Sequence, residues 1–326
     1  MSVSPCRRAG WALLLAAVWL AGCAGDPRGG AAAAAAAPLS LEVVAAGVYV
    51  HRGEQQEFDE TNRGDVANVG FVVGDRCVAV IDTGSTLEVG RRLLAAVRSV
   101  TAKPVCFVVN THMHPDHVLG NAAFEGVDGG PVFVGHARLP GALAVRAGSY
   151  LRAVQRDVGP PAEGTRVLLP SRLVEQQDSL DLGGRRLLLR AWPTAHTDND
   201  LTVWDEATRT LWTGDLLFVG RIPAIDGRLS GWLAACRELA LSPAERLVPG
   251  HGDFHGAWRD TLARQTDYLE AVQAQVRSAI KAGRTLPEML AQDAAADATA
   301  GRSAWALYDQ YHRRNLTAAY AELEWE

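Results

Sequence analysis

The 326-residue chain has no long run of like charge, no pair of cysteines at thiolate-metal spacing and no apolar stretch long enough to span a bilayer. A formal net charge of −5, spread without a basic stripe, offers nothing to neutralise a phosphate backbone, so nucleic acid is not expected as a partner. The five cysteines show no Cys-x-x-Cys pairing and do not carry the chemistry. What is present is a globular composition, 48% hydrophobic and 21% charged, sufficient for one large core or two modest ones.

The N-terminus is of another kind. Arg7 and Arg8 precede an apolar stretch over 11–20, the pattern of an export signal. It ends in Leu20-Ala21-Gly22-Cys23, which resembles the bacterial lipobox, where the Cys becomes the lipidated first residue. The resemblance implies an exported, periplasmic protein anchored to a membrane through lipid on Cys23, and Ala24 in the next position leans toward the outer membrane. An ordinary secretory signal cut nearby is the other reading, and it too takes the protein out of the cytoplasm. Residues 29–38, almost all Gly and Ala, read as a tether. The boundaries are then 1–23 for the signal, 24–38 for the tether, 39–255 for the main domain and 256–326 for a C-terminal helical extension. Cys77 and Cys106 lie in apolar strand-like runs, as buried thiols or as a disulfide; the residues leave both open.

Hydrophobic periodicity sets the expected elements. Short β-branched runs over 41–50 and 68–82, with Gly74-Asp75 as a hairpin turn, predict strands. The period changes over 87–100, where Leu93, Leu94, Val97 and Val100 share a helical face, and 105–109 predicts a strand again. Residues 139–155 read as a helix, then strands return at 187–191, 201–204, 210–213 and 246–248. From Trp258 the chain is helical to its end, except for an Ala/Asp-rich segment, and there is no internal repeat. Alternating strands and helices predict an α/β layered domain.

After the strand ending at Asn110 the sequence reads Thr111-His112-Met113-His114-Pro115-Asp116-His117. Three imidazoles and a carboxylate within six residues of a post-strand loop point to a metal, since neutral imidazole and carboxylate are the ligands zinc prefers. His51, His136, His255 and His312 stand outside this pattern and read as non-ligands.

The stretch matches the HxHxDH motif of the metallo-β-lactamase superfamily, and the rest of the pattern follows in order: Ile81-Asp82-Thr83-Gly84, Ala195-His196-Thr197, Thr213-Gly214-Asp215 and Pro249-Gly250-His251-Gly252. The resemblance implies a four-layer αββα sandwich holding two Zn2+. His112, His114 and His196 would bind one ion, Asp116, His117 and His251 the other, with Asp215 between them. It also places Asp82 behind the ligands, orienting their loop. Two cations about 3.5–4 Å apart lower the pKa of an intervening water toward neutrality, and this hydroxide attacks the electrophile. Asp116 would orient that nucleophile and relay its proton.

Asp215 in a Gly-Asp-Leu-Leu-Phe context resembles glyoxalase II and other broad hydrolases, whereas His196-Thr197-Asp198-Asn199-Asp200 departs from their His-Thr-Pro-Gly-His. Residues 62–68, Lys103-Pro104-Val105-Cys106 and 314–322 resemble the SoxH-related zinc metallohydrolases called quinoprotein relay system proteins. That implies a periplasmic partner system of PQQ-dependent dehydrogenases. The expected function is hydrolysis of a small-molecule ester, thioester, lactone or similar electrophile. A β-lactamase-like amide hydrolase, a mono-iron persulfide oxygenase and a non-catalytic, metal-stabilised accessory lipoprotein are the competing readings.

Overall fold

The computed structural model describes residues 36–300 and 305–326. The export signal, Cys23 and most of the tether lie outside the described residues. Among the described residues no helix is long and apolar enough to cross a membrane.

Two mixed sheets form the centre. The first runs in the order β1 (Glu42–Ala45), β2 (Val48–His51), β3 (Val69–Val73), β4 (Val78–Ile81), β5 (Val105–Val109), β6 (Val132–His136) and β7 (Arg172–Val174). It is antiparallel up to β4 and parallel from there on. The second is ordered β12 (Arg246–His251), β11 (Thr210–Phe218), β10 (Leu201–Asp205), β9 (Arg186–Ala191) and β8 (Gln177–Asp181), with only β11 and β12 parallel.

Strand alternation explains how these sheets stack. Val48, Val50, Val72, Ala79 and Ile81 of the first sheet meet Leu187, Leu189, Leu201, Val203 and Trp212 of the second in one apolar layer. The opposite face of the first sheet presents Phe71, Val78, Val80 and Val108 to α1 (Leu87–Val100), which answers with Val89, Leu93, Ala96 and Val97. Thr86 starts that helix by accepting from the Val89 amide at 3.1 Å. The outer face of the second sheet is covered by α4 (Leu229–Ala240), α5 (Trp258–Lys281) and α7 (Tyr308–Leu323), through Trp232, Leu262, Leu269 and Leu316 among others. The result is the expected four-layer αββα sandwich, with α6 (Leu286–Ala300) joining α5 to α7. The short α2 (Pro115–Val118) and the longer α3 (Leu139–Val158) share a smaller core built on Met113, Leu119, Leu139, Leu143 and Val154.

The expected strand over 41–50 is two strands turned at Gly47, whose φ of 71° suits glycine. β6, β7, β8 and α4 add elements that periodicity did not predict. The open question about Cys77 and Cys106 is answered by a disulfide, with Cα atoms 5.8 Å apart across the β4–β5 edge. Cys236 is free and buried.

Candidate metal centre

Apart from Asp215, the ligand-type residues come from strand ends or the loops that follow them. Asp82 follows β4, the His112–His117 loop follows β5, His196 sits between β9 and β10, Asp215 lies within β11 and His251 ends β12. The loop after β5 is pinned by buried amides: Asn110 Nδ2 donates to the His117 carbonyl at 3.1 Å, and Thr83 Oγ1 donates to Asn121 Oδ1 at 2.8 Å. Two glycines make room. Gly214 has φ 52°, and a Cβ there would stand 2.6 Å from Thr111 Oγ1. A Cβ on Gly250 would collide with the Asp215 carboxylate.

The structure brings together all seven expected ligands, in two groups. His112, His114, His196 and Asp215 form one, and Asp116, His117 and His251 the other, with ligand atoms of each group within 4.8 Å of one another. His114 Nδ1 lies 3.1 Å from both His112 Nε2 and His196 Nε2. Asp215 joins the groups: Oδ2 is 3.5 Å from His112 Nε2 and from His196 Nε2 and 3.4 Å from His251 Nε2, while Oδ1 is 3.3 Å from His117 Nε2. Asp116 Oδ2 is 3.3 Å from His251 Nε2.

The outward nitrogen of every one of these rings is held by an acceptor. His117 Nδ1 donates to Asp82 Oδ2 at 2.8 Å, His251 Nδ1 to the Val66 carbonyl at 2.8 Å and His196 Nδ1 to the Ala224 carbonyl at 2.7 Å. His114 Nε2 donates to Asp226 Oδ2 at 3.0 Å. Asp82 also takes the Thr111 amide at 2.8 Å and the Thr111 hydroxyl at 2.7 Å, which leaves that hydroxyl oxygen to accept from His112 Nδ1 at 3.0 Å. Five outward protons put five lone pairs inward, toward two carboxylates. His117 Nε2 and Asp215 Oδ1 are buried there without a hydrogen-bond partner. Lone pairs aimed at one another are tolerable only around cations, so this donor set fits two metal ions.

The electrostatics divide the rings into two kinds, with His112 and His196 lowered and His117 and His251 raised. Burial and the neighbouring His117 push His112 down to about 4, and burial also holds His196 well below its usual value, so both rings are neutral ligands at physiological pH. Burial opposes ionisation of Asp116 and Asp215, but the adjoining histidines outweigh it and both carboxyls fall below the ordinary range. His117 moves up despite its burial, because Asp215, Asp82 and Asp116 surround it.

Above the cluster opens a cavity of about 390 Å³ with His114, Asp116, His196, Asp215 and His251 at its floor. Its walls include residues that the sequence did not assign to the site: Tyr150 from α3, Arg221 and Asp226 from the loop after β11, and Tyr311, Arg314 and Asn315 from α7, the last two known there only as part of the 314–322 resemblance. A larger surface groove of about 820 Å³, beside β8 to β10 and the end of α4, contains none of the cluster. Asp226 joins two walls, accepting from Arg146 at 3.0 Å as well as from His114. Asn315 fixes the same loop, accepting from the Ile225 amide at 2.9 Å and donating to the Pro223 carbonyl at 2.7 Å, on either side of the carbonyl that holds His196. The contacts of Asp226 and Asn315 that order the site span eighty residues of chain or more, beyond any local signal.

The remaining candidates lie elsewhere. His255 contacts Glu42 at 2.6 Å, His51 contacts Asp65 at 2.7 Å, His136 faces the Trp192 carbonyl and His312 faces Tyr268. Asp200 accepts from the Thr197 amide at 2.9 Å and hydroxyl at 2.7 Å, and so shapes the turn after His196.

A two-sheet sandwich with this His/Asp cluster at one edge defines a class. The chain belongs to the metallo-beta-lactamase superfamily, whose sequence profile matches residues 62–251. Membership and the cluster together make it a metal-dependent hydrolase. It is 29% identical over 231 residues to the acyl-coenzyme A thioesterase MBLAC2 of Gallus gallus, covering 63% of this chain and 78% of that protein. Among solved structures it resembles the stereoselective inverting sec-alkylsulfatase Pisa1 from Pseudomonas sp., with TM-score 0.64 and 18% identity over 87% of this chain and 50% of that one. A beta-lactamase domain protein from Burkholderia ambifaria matches with TM-score 0.62 and 18% identity over 88% of each chain.

Proposed function

We propose that the protein is an exported, two-zinc hydrolase of a small ester, thioester or lactone. The observation that carries this reading is the cluster at and beneath the floor of the cavity, where five inward lone pairs and two carboxylates converge in two groups joined by Asp215. When bound, a pair of divalent cations supplies Lewis acidity toward the oxygen of the electrophile and brings the pKa of water near neutrality.

The chain's own residues do the rest. Among the described residues no Ser or Cys side chain lines the cavity, so the nucleophile is water. Asp116, held anionic at the cavity floor, takes the proton of that water on a carboxylate oxygen and returns it to the leaving group. Phe218, stacked on His251 with ring centroids 5.3 Å apart, and Trp232, 5.1 Å from His196, shield the ligand rings from solvent. A volume of about 390 Å³ suits a small substrate. Similarity to an acyl-coenzyme A thioesterase supports a thioester within that range.

Residues 1–23 support export and a lipid anchor on Cys23, and the motifs over 62–68, 103–106 and 314–322 support a role beside a periplasmic quinoprotein dehydrogenase system. Elemental analysis of the purified mature protein, paired with a panel of thioester, lactone, β-lactam and phosphodiester substrates, tests the reading. About two zinc ions per chain and chelator-sensitive turnover are expected. One iron with thiol-dependent oxygen uptake, or two metals and no turnover, would replace it with the oxygenase or the accessory protein. The mass of the mature N-terminus decides whether Cys23 carries lipid.

A further inference from the structure

One wall of the cavity is cationic and unsatisfied. Arg221 is only 6% exposed, yet its buried Nε has no hydrogen-bond partner. Its Nη1 reaches the Gln56 carbonyl at 3.4 Å and stands 3.3 Å from His251 Nδ1. That second contact is not a hydrogen bond of Arg221, because His251 Nδ1 carries the proton it donates to Val66. The nearest carboxylate, Glu57, is 3.9 Å away and half exposed. A guanidinium brings five donors, and a structural clamp buried to this extent would have them filled.

A second guanidinium shares the wall. Both guanidinium groups approach the Tyr311 ring, with Arg221 Cζ 5.7 Å and Arg314 Cζ 5.2 Å from its centroid. Arg314 is exposed at the rim and has no carboxylate partner among the described residues. The charges facing this wall are Glu57 at the mouth and Asp116 on the floor, while Asp226 on the far side is already paired with Arg146. Arg221 therefore holds under-filled donors beside the His251 ring, and Arg314 lines the same cavity.

We propose that Arg221 and Arg314 bind an oxyanion on the substrate, so that the hydrolysed ester or thioester carries an anionic group a few bonds from the scissile carbonyl. This rests on the hydrolase reading. A planar fork of N–H donors matches the two oxygens of a carboxylate, and equally those of a sulfonate or phosphonate, and desolvation inside the cavity strengthens the pairing. α7 thereby selects substrate, although it lies outside the matched family segment of 62–251.

The test uses the zinc-loaded protein and two matched thioesters, the S-propanoyl derivatives of 3-mercaptopropanoate and of the isosteric 3-mercaptopropanamide. The acid is expected to exceed the amide in kcat/KM by about tenfold, as one charge-assisted contact provides. Arg221→Gln and Arg314→Gln should each lower that ratio several-fold, and Arg314, at the surface, can be replaced without endangering the fold. Sulfonate and phosphonate versions of the thiol show which oxyanion fits best. Turnover with a wild-type ratio near one, or a ratio that neither variant moves, overturns the inference while leaving the hydrolase reading intact. If neither thioester is hydrolysed, calorimetry with the corresponding S-propyl thioethers reads the inference separately: tighter binding of the acid that weakens in Arg314→Gln sustains it, and equal binding of acid and amide rejects it.

Discussion

Replacing Asp82 by Asn isolates the hydrogen bonds that aim the ligands. Asp82 has φ 53°, a region Asn adopts as readily as Asp, so Asp82→Asn preserves backbone and volume and changes one oxygen to an amino group. The carboxylate accepts three bonds: the Thr111 amide at 2.8 Å, the Thr111 hydroxyl at 2.7 Å and His117 Nδ1 at 2.8 Å. With its NH2 toward the Thr111 amide, Asn sets donor against donor behind the loop. With the NH2 toward His117, it drives the His117 proton to Nε2, which faces Asp215 at 3.3 Å. The first arrangement leaves a buried donor unmatched, at about 1–3 kcal/mol, or roughly tenfold to a hundredfold in an equilibrium constant, and the second puts a proton on the His117 nitrogen whose lone pair the metal needs. Removing a partner behind a metal ligand weakens metal binding over a similar range, about 10–100-fold. Both ions should loosen, because the Thr111 hydroxyl also orients His112, and the ion held by Asp116, His117 and His251 should loosen more. Chelator competition on the zinc-loaded variant resolves the two affinities, with melting of the chelated protein as the control for fold. Two affinities within about twofold of wild type would refute the claim that Asp82 aims the site.

Asn315→Leu should leave the Ile225 amide and Pro223 carbonyl unpaired, lower stability by about 2–5 kcal/mol and weaken the ion beside His196 and His114; denaturant melts and zinc titration check this, and an unchanged melt would count against it. Burial pushes Asp200 up to about 8, so its folded carboxyl stays protonated at neutral pH while the unfolded one ionises near 4. Its contribution to stability is therefore full below about pH 4 and lost as pH rises toward 8, at no more than ~1.4 kcal/mol per pH unit. Asp200→Asn, which cannot ionise, should gain on wild type between pH 5 and 7.5 in urea melts, and a pH-independent difference would reject this. Cys106→Ser opens a bridge between residues 29 apart in sequence and should cost about 3 kcal/mol; a melt insensitive to the substitution and to reductant would show that the bridge contributes nothing.

The local sequence was most informative where period and spacing are local. α1 was predicted at the bounds it occupies, and β5 likewise, because an amphipathic stripe and an apolar run are read over a few consecutive residues. β8 was not predicted: Gln177–Asp181 has one buried apolar side chain and is a strand through its pairing with β9. α4 has no side-chain cap of its own, since the carboxylate of Glu322, some ninety residues later, takes the Leu229 amide at 2.6 Å. Such partners are invisible to any window of sequence.

The sequence alone determined the donor types of the site, since His112, His114, Asp116, His117, His196, Asp215 and His251 stand in motifs whose chemistry is legible residue by residue. The tertiary structure decided what surrounds them. Which proton each ring keeps depends on Val66, Ala224, Asp226, Thr111 and Asp82, and the charge of the cavity depends on Arg221 and on Arg314 from a helix near the chain's end. The physical reason is distance along the chain: ligands read from a motif are neighbours in sequence, whereas a ring's second hydrogen bond and a cavity's wall come from whatever folding brings alongside.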